Sequence, residues 1–312
     1  MREYNTIFDE FIQFKHFLGY KYKTDEIVIN EIKNYLIEHN ITKITKEVTE
    51  DYAGLNTNIS SNTIARNMGV FREFCNFLKY QKDIDCYQIP NKIYPQNHNN
   101  FIPYIFSYEE IKLIYSNLNE PLKDYHYSYY KQKAYPLIIK ILYQTGMRIG
   151  ELLNIKLEDY NYELSAFKLT DTKNNEERYV AISDKLNEEI NKFVTKFFYN
   201  KSNDEYIFKI HGDSATKYFK KVLMLSNIKI TDKGPRLHDL RHTYLVHNID
   251  KAIKENRDVN QILPILKTQI GHKSLNSIAY YFHINKDILG TVNEISENEL
   301  GYLIPSIGED NE

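Results

Sequence analysis

The sequence predicts a mainly α-helical chain with a small antiparallel β-sheet in its C-terminal half. Three observations carry that expectation. Apolar residues recur at helical spacing through the first ninety residues, Gly and Pro are scarce until Pro90, and two short β-like segments, SAFKLTD and RYVAI, stand together far downstream. A chain of 312 residues suggests two domains at about 150 residues each.

In the N-terminal part, Ile7, Phe11, Phe14 and Leu18 form one apolar stripe, and Ile64, Met68, Phe71, Cys75 and Leu78 form another. Each stripe is one face of a helix. Residues 88–104 hold three prolines and a polar Asn/Gln run, the composition of an extended linker. The boundaries are therefore a helical domain at 1–90, a linker at 91–104, a second domain at 105–290 and a tail at 291–312. Ser107 and Glu110 have the spacing of a capping box that opens the helix SYEEIKLIYSNL. The segment KAYPLIIKILYQ runs into Gly146, a left-handed helix stop. SAFKLTD and RYVAI flank the polar tip Lys173-Asn174-Asn175 as a hairpin. From Asp184 onward the pattern is helical again, interrupted by YIFKI and by the Lys233-Gly234-Pro235 turn.

Hydrophobic residues make up 42% and charged residues 26%, the balance of a globular chain rather than a disordered one. No apolar run approaches the roughly 20 residues of a membrane helix. The opening MREYNTIFDEFIQFK has acids where a signal peptide keeps an apolar core, so a cytoplasmic location, with no membrane partner, is expected. Cys75 and Cys86 provide neither a disulfide framework nor a zinc cluster, and no metal is expected. The net charge is −2; six acids and no Lys or Arg fall within 291–312, which leaves the first 290 residues at +4. That mildly basic body is compatible with a nucleic-acid partner without requiring one.

Three segments carry chemistry-bearing residues: TGMRIGELLNIKLEDY (145–160), RLHDLRHTYLVH (236–247) and IGHKSLNSIAYYFH (270–283). Arg148 and Glu151 lie three apart at a helix start and share a face, as do His238 and Arg241. An arginine is rarely buried unless an anionic group meets it.

Together these segments resemble the catalytic domain of the tyrosine recombinase (integrase) family, which includes Xer-type resolvases and phage and transposon integrases. The first box of that family, TG-x-R-x-x-E-L, is similar to Thr145-Gly146-Met147-Arg148-Ile149-Gly150-Glu151-Leu152. The second, H-x-L-R-H-T, is similar to His238-Asp239-Leu240-Arg241-His242-Thr243, and the third to Gly271-His272 with Tyr281 nine residues on. Lys173, followed by Glu177-Arg178-Tyr179-Val180, resembles the family's hairpin lysine, although Asn174 and Asn175 stand where a glycine is usual. The resemblance covers residues 105–285. SSNTIARNMGVFREFCNFLK is similar to the last helices of the family's helical core-binding (SAM-like) domain.

The resemblance implies a C-shaped clamp of two domains around duplex DNA and a site-specific recombinase that needs no cofactor, metal or ATP. Tyr281 would attack the phosphodiester and leave a 3′-phosphotyrosine; Tyr280 is its rival. Arg148 and Arg241 would hold the non-bridging oxygens through forked donors. His238 would act as base, with Glu151 orienting its neighbourhood; His272 would donate to the phosphate. Lys173 would protonate the leaving 5′-oxygen, with Lys168 as its rival. His242 is expected to be structural and to face away from His238, and His283 is near the site in sequence. Arg66, Arg72, Lys79 and Lys82 are candidate groove or phosphate contacts. The implied partners are double-stranded DNA with inverted-repeat core sites and a homotetramer, or a related recombinase, on that DNA at the nucleoid. Leu303-Ile304-Pro305-Ser306-Ile307 would dock on a neighbouring protomer. The long stretch between Arg241 and His272, with LPILKTQIGH, points to a mobile element's integrase; a resolvase of chromosome or plasmid dimers is the alternative. A catalytically silent DNA-binding accessory protein is the reading from another class.

Overall fold

The computed structural model describes residues 2–55, 59–91, 103–123, 127–170, 177–231 and 234–271, with side chains from residue 6 onward. It divides into two compact units, Met1–Phe101 and Ile102–Glu312. The first contains helices α1 (Arg2–Phe17), α2 (Lys23–Glu38), α3 (Lys46–Gly54) and α4 (Ser61–Lys82). Thr45 and Ser60 open α3 and α4 by accepting hydrogen bonds from the backbone of Val48 and Thr63, satisfying N–H groups that have no partner inside the helix. Phe8 and Phe11 of α1, Ile29 and Ile32 of α2, and Phe71, Phe74 and Cys75 of α4 are completely buried together. The rings of Phe8 and Phe74 stack at 4.2 Å. Burial of each such side chain contributes about 1.5–3 kcal/mol. Leu18, placed in the buried stripe by its spacing, is 51% exposed. Helix α1 stops at Phe17, and the chain turns away through Gly19 at φ 84, so the helical periodicity no longer governs position 18.

The second unit contains α5 (Tyr108–Asn117), α6 (Tyr129–Thr145), α7 (Ile149–Leu153), strands β1 (Tyr160–Asn161), β2 (Ala166–Leu169) and β3 (Arg178–Ala181), then α8 (Asp184–Phe198), α9 (Gly212–Leu225), α10 (Asp239–Lys254) and α11 (Val259–Ile270). The strands form one antiparallel sheet in the order β1-β2-β3, with Phe167 opposite both Tyr160 and Val180. This is the mostly helical fold with a small sheet that the sequence predicts. Strand β1 escapes sequence reading because two residues cannot display a period of two. The YIFKI segment lies outside the named strands, making only a bridge between Lys156 and Tyr206, while Ile207, Phe208 and Ile210 enter the core. Ser107 and Glu110 form the capping box reciprocally.

Helix α6 is the axis of this unit. It packs on α8, α9 and α10, and Ile138, Ile139 and Ile141 are completely buried. Helix α10 in turn packs on α11 through Leu245, Val246, Ile249, Leu266 and Ile270. The C-terminal ends of α6 and α11 thereby meet near the first turn of α10.

Candidate active site

Two glycines end the helices that frame the site. Gly146 closes α6 at φ 64 and donates its N–H to the Leu142 carbonyl at 3.0 Å. A β-carbon there would collide with the Tyr244 ring of α10, so glycine is needed for both conformation and space. Gly271 closes α11 at φ 65, and a β-carbon there would come 2.6 Å from the Arg178 guanidinium. Arg148 leaves Gly146 in extended conformation and sits at the N-cap of α7, three residues before Glu151. Its N–H donates to Glu151 Oε2 at 2.9 Å and its Nη1 to Oε1 at 2.7 Å.

Helix α11 contributes acceptors rather than side chains. The last carbonyls of a helix have no partner inside it and carry the negative end of its dipole. Arg241 Nη2 donates to the Ile270 carbonyl and its Nη1 to the Gly146 carbonyl, each at 2.7 Å. Arg148 Nη2 reaches the Gly271 carbonyl at 3.4 Å. Arg178 of β3 donates from Nε to the Gln269 carbonyl at 3.2 Å and from Nη2 to the Ile270 carbonyl at 3.3 Å. Three guanidiniums from three segments thus converge on the end of one helix, directly before His272.

Arg178 also donates to Glu151 Oε2 at 2.8 Å, and both side chains are at most 8% exposed. Burial pushes the Glu151 carboxyl upward, but hydrogen bonds from Arg178 and from the N–H and guanidinium of Arg148, with the Arg178 charge, outweigh it. The group stays below its ordinary value and remains ionised. Arg241 is 3% exposed. Such burial costs several kcal/mol unless the charge is well met, and the two carbonyls meet part of it.

His238 caps the N-terminal end of α10 and accepts the Arg241 N–H on its own carbonyl at 3.1 Å. Its side chain reaches the surface, yet partial burial, then the Arg241 charge, hold the imidazole below its usual pKa. Arg236 and Arg148 act in the same direction and Asp239 opposes them. A positive field therefore surrounds His238, which is neutral and able to take a proton at neutral pH. The buried Asp239 side chain accepts from the Arg236 N–H at 2.7 Å, and the Thr243 hydroxyl accepts from the Phe106 N–H at 3.1 Å. These bonds fix the first turn of α10.

The remaining expectations fall as follows. His242 does not face away from His238: the rings are 5.0 Å apart and nearly perpendicular, because residues four apart lie on the same helix face. The Glu151 carboxylate is engaged by Arg148 and Arg178. Lys168 of β2 pairs with Glu177 at 3.4 Å. On α4, Arg66 pairs with Asp25 at 2.5 Å, Lys82 pairs with Glu10, Lys79 lies over the Tyr80 ring, and Arg72 reaches back toward Gly69. Lys173, His272, Tyr280, Tyr281, His283, the greater part of the linker and the 291–312 tail lie outside the described residues. Arg178 is the residue that sequence reasoning passed over. A signal was present: Arg178 and Val180 share a strand face, and Val180 is completely buried, so Arg178 is directed inward too. Among the described residues, no group of three or more His, Cys, Asp or Glu side chains could hold a metal ion, and no helix is long and apolar enough to cross a membrane.

A helical domain with a small sheet, and arginines gathered at the ends of its central helices, defines a class of DNA strand-transfer enzyme. Residues 106–287 match the Phage integrase family, and the chain belongs to this family of tyrosine recombinases. Tyrosine recombinases are site-specific DNA recombinases that act by transesterification without ATP or metal. The chain is 25% identical over 274 residues to a tyrosine recombinase of Pseudothermotoga lettingae, covering 86% of this chain and 84% of that one. It is 25% identical over 291 residues to tyrosine recombinase XerC of Staphylococcus carnosus, covering 91% and 87%. Its fold is similar to lambda integrase (75–356) in a dimer bound to a COC′ core site. The TM-score is 0.62 at 14% identity, over 87% of this chain and 95% of that one.

Proposed function

We propose that this recombinase cuts and rejoins duplex DNA through Tyr281, as the integrase of a mobile element. The observation that carries the reading is the convergence of Arg148 and Arg241 on the carbonyls of Gly271 and Ile270, immediately before His272. Phosphoryl transfer needs positive charge on the non-bridging oxygens, held in place before the reaction begins. The Tyr281 oxygen attacks phosphorus, the bond to the 5′-oxygen breaks, and a 3′-phosphotyrosine forms. His238 takes the phenol's proton, Lys173 delivers one to the 5′-oxygen, and His272 donates to the phosphate. The phosphotyrosyl bond conserves the free energy of the broken linkage, so a second 5′-hydroxyl can reverse the step. The substrate is a pair of inverted-repeat core sites synapsed by four protomers. The long Arg241–His272 stretch, which includes α11, supports the mobile-element role.

Covalent capture tests the chemistry. Wild-type protein and Tyr281→Phe are incubated with DNA spanning the gene's flanks, without metal, and detergent-resistant adducts are mapped. A 3′-linked adduct in wild type alone is the expected result. Adducts from Tyr281→Phe move the nucleophile to Tyr280, and tight binding without adducts from either protein favours a silent accessory role. A Xer-like resolvase is the second reading, favoured by similarity to XerC over 91% of the chain. Resolution of plasmid dimers without strand exchange at the gene's own flanks would select it.

A further inference from the structure

We propose that Cys75 and Cys86, the chain's two cysteines, form a peroxide-oxidisable thiol pair that closes to a disulfide within the N-terminal unit. The fold brings them together through the end of α4. Asp83 adopts the left-handed conformation and the Ile84 N–H returns to the Leu78 carbonyl at 2.9 Å, reversing the chain. The Tyr87 N–H then binds the Ile44 carbonyl at 2.8 Å, which holds the returning segment against the helical core. Cys86 thereby lies beside Cys75, its thiol donating to the Cys75 carbonyl oxygen at 3.4 Å.

Gln88 singles out one sulfur. Its side-chain amide donates to Cys86 Sγ at 3.3 Å, and lies equally close to the carbonyls of Cys75 and Cys86. An amide donor aimed at a sulfur stabilises the thiolate. The larger influence is the hydrogen bond from the Cys75 thiol to Cys86, which pushes Cys75 up and draws Cys86 down; Gln88 and Lys79 add to that lowering, against burial and Asp85. Cys75 is completely buried, while Cys86 is 7% exposed next to the exposed residues 83–85. Cys86 is thus the attacking thiolate and Cys75 the resolving thiol. A pair of thiols serving only as small apolar packing groups needs no amide donor on the sulfur.

The chemistry balances with hydrogen peroxide as oxidant. The Cys86 thiolate attacks one peroxide oxygen and breaks the O–O bond, giving a sulfenic acid and a hydroxide that becomes water. The Cys75 sulfur attacks the sulfenic sulfur, the S–S bond forms, and the sulfenic oxygen leaves as water with the Cys75 proton. Two thiols and one peroxide yield one disulfide and two waters.

The test is intact-mass analysis of the full chain after peroxide, with denaturation and alkylation by N-ethylmaleimide. Wild type is expected to lose the mass of two hydrogens, accept no maleimide, and regain both sites after dithiothreitol. In Cys75→Ser, dimedone should trap a sulfenic acid on Cys86; in Cys86→Ser, Cys75 should resist peroxide. Two alkylatable thiols in wild type, at peroxide doses that oxidise free cysteine, would overturn the proposal. So would conversion to sulfinic acids, disulfides between chains alone, or undiminished peroxide reactivity in Cys86→Ser.

Discussion

Among the described residues, the N-terminal unit buries two polar side chains, Thr49 and Asn67, whereas α10 alone buries Asp239, Arg241, Thr243, His247 and Asp250. The first interior is held by non-directional apolar contact, seen in the packed rings of Phe8, Phe11, Phe74 and Phe77. The second adds to its apolar contacts bonds with fixed lengths and angles, such as those from Arg241 to two carbonyls. Apolar packing tolerates small shifts, while a buried polar network is satisfied in one arrangement and costly in others. The recombinase therefore keeps its positional precision in the C-terminal unit, where the proposed phosphate contacts of Arg148 and Arg241 lie.

Replacing a polar anchor should affect chemistry far more than thinning the aromatic core does. Arg241→Ala should lower adduct formation about 10³–10⁵-fold, the contribution of an arginine to phosphoryl transfer. Arg241→Lys should recover only part of it, because lysine cannot bridge the Gly146 and Ile270 carbonyls. Adduct yield against time, on protein whose helical circular dichroism is unchanged, measures this; wild-type rates in Arg241→Ala would break the comparison.

His238→Gln should slow cleavage about 10²–10⁴-fold, the usual contribution of a general base. Because the His238 imidazole is held below its ordinary value, the acid limb of the wild-type rate should lie lower in pH than that of an unperturbed histidine. The variant's rate should lack that acid limb. A pH–rate profile on a suicide substrate reads both.

Glu151→Gln should destabilise the C-terminal unit by about 3 kcal/mol, because Arg178 loses its buried carboxylate. The sign of the pH effect follows from the lowered carboxyl. Its stabilisation is present above the ordinary value of 4.5 and is lost as pH falls through the folded-state value. Urea midpoints followed by circular dichroism should fall below about pH 4.5 in wild type and less steeply in Glu151→Gln.

The smallest effects should have opposite signs in the two units. Gly69→Ala, inside α4 with only the Arg72 side chain within 4 Å of the new methyl, should stabilise by about 0.5–1 kcal/mol. Gly146→Ala should destabilise by at least about 1 kcal/mol, since its φ is positive and Tyr244 occupies the space. Thermal unfolding of the two variants measures the contrast.

Local rules determined much of this protein directly from its residues. The Ser107–Glu110 capping box, the Gly146 stop, the pairing of β2 with β3 and the Arg148–Glu151 contact all span few residues or follow a short alternating pattern. The segments bearing Arg148, His238 and Arg241 were legible for the same reason. Tertiary structure decided where those segments meet. The packing of α6 against α10 and of α10 against α11 delivers three guanidiniums to one helix end and turns Arg178 onto Glu151. It also returns Cys86 to Cys75 beyond the end of α4. A helix's last carbonyls carry no trace in the sequence, because every residue has one; only the fold decides which side chains come to satisfy them.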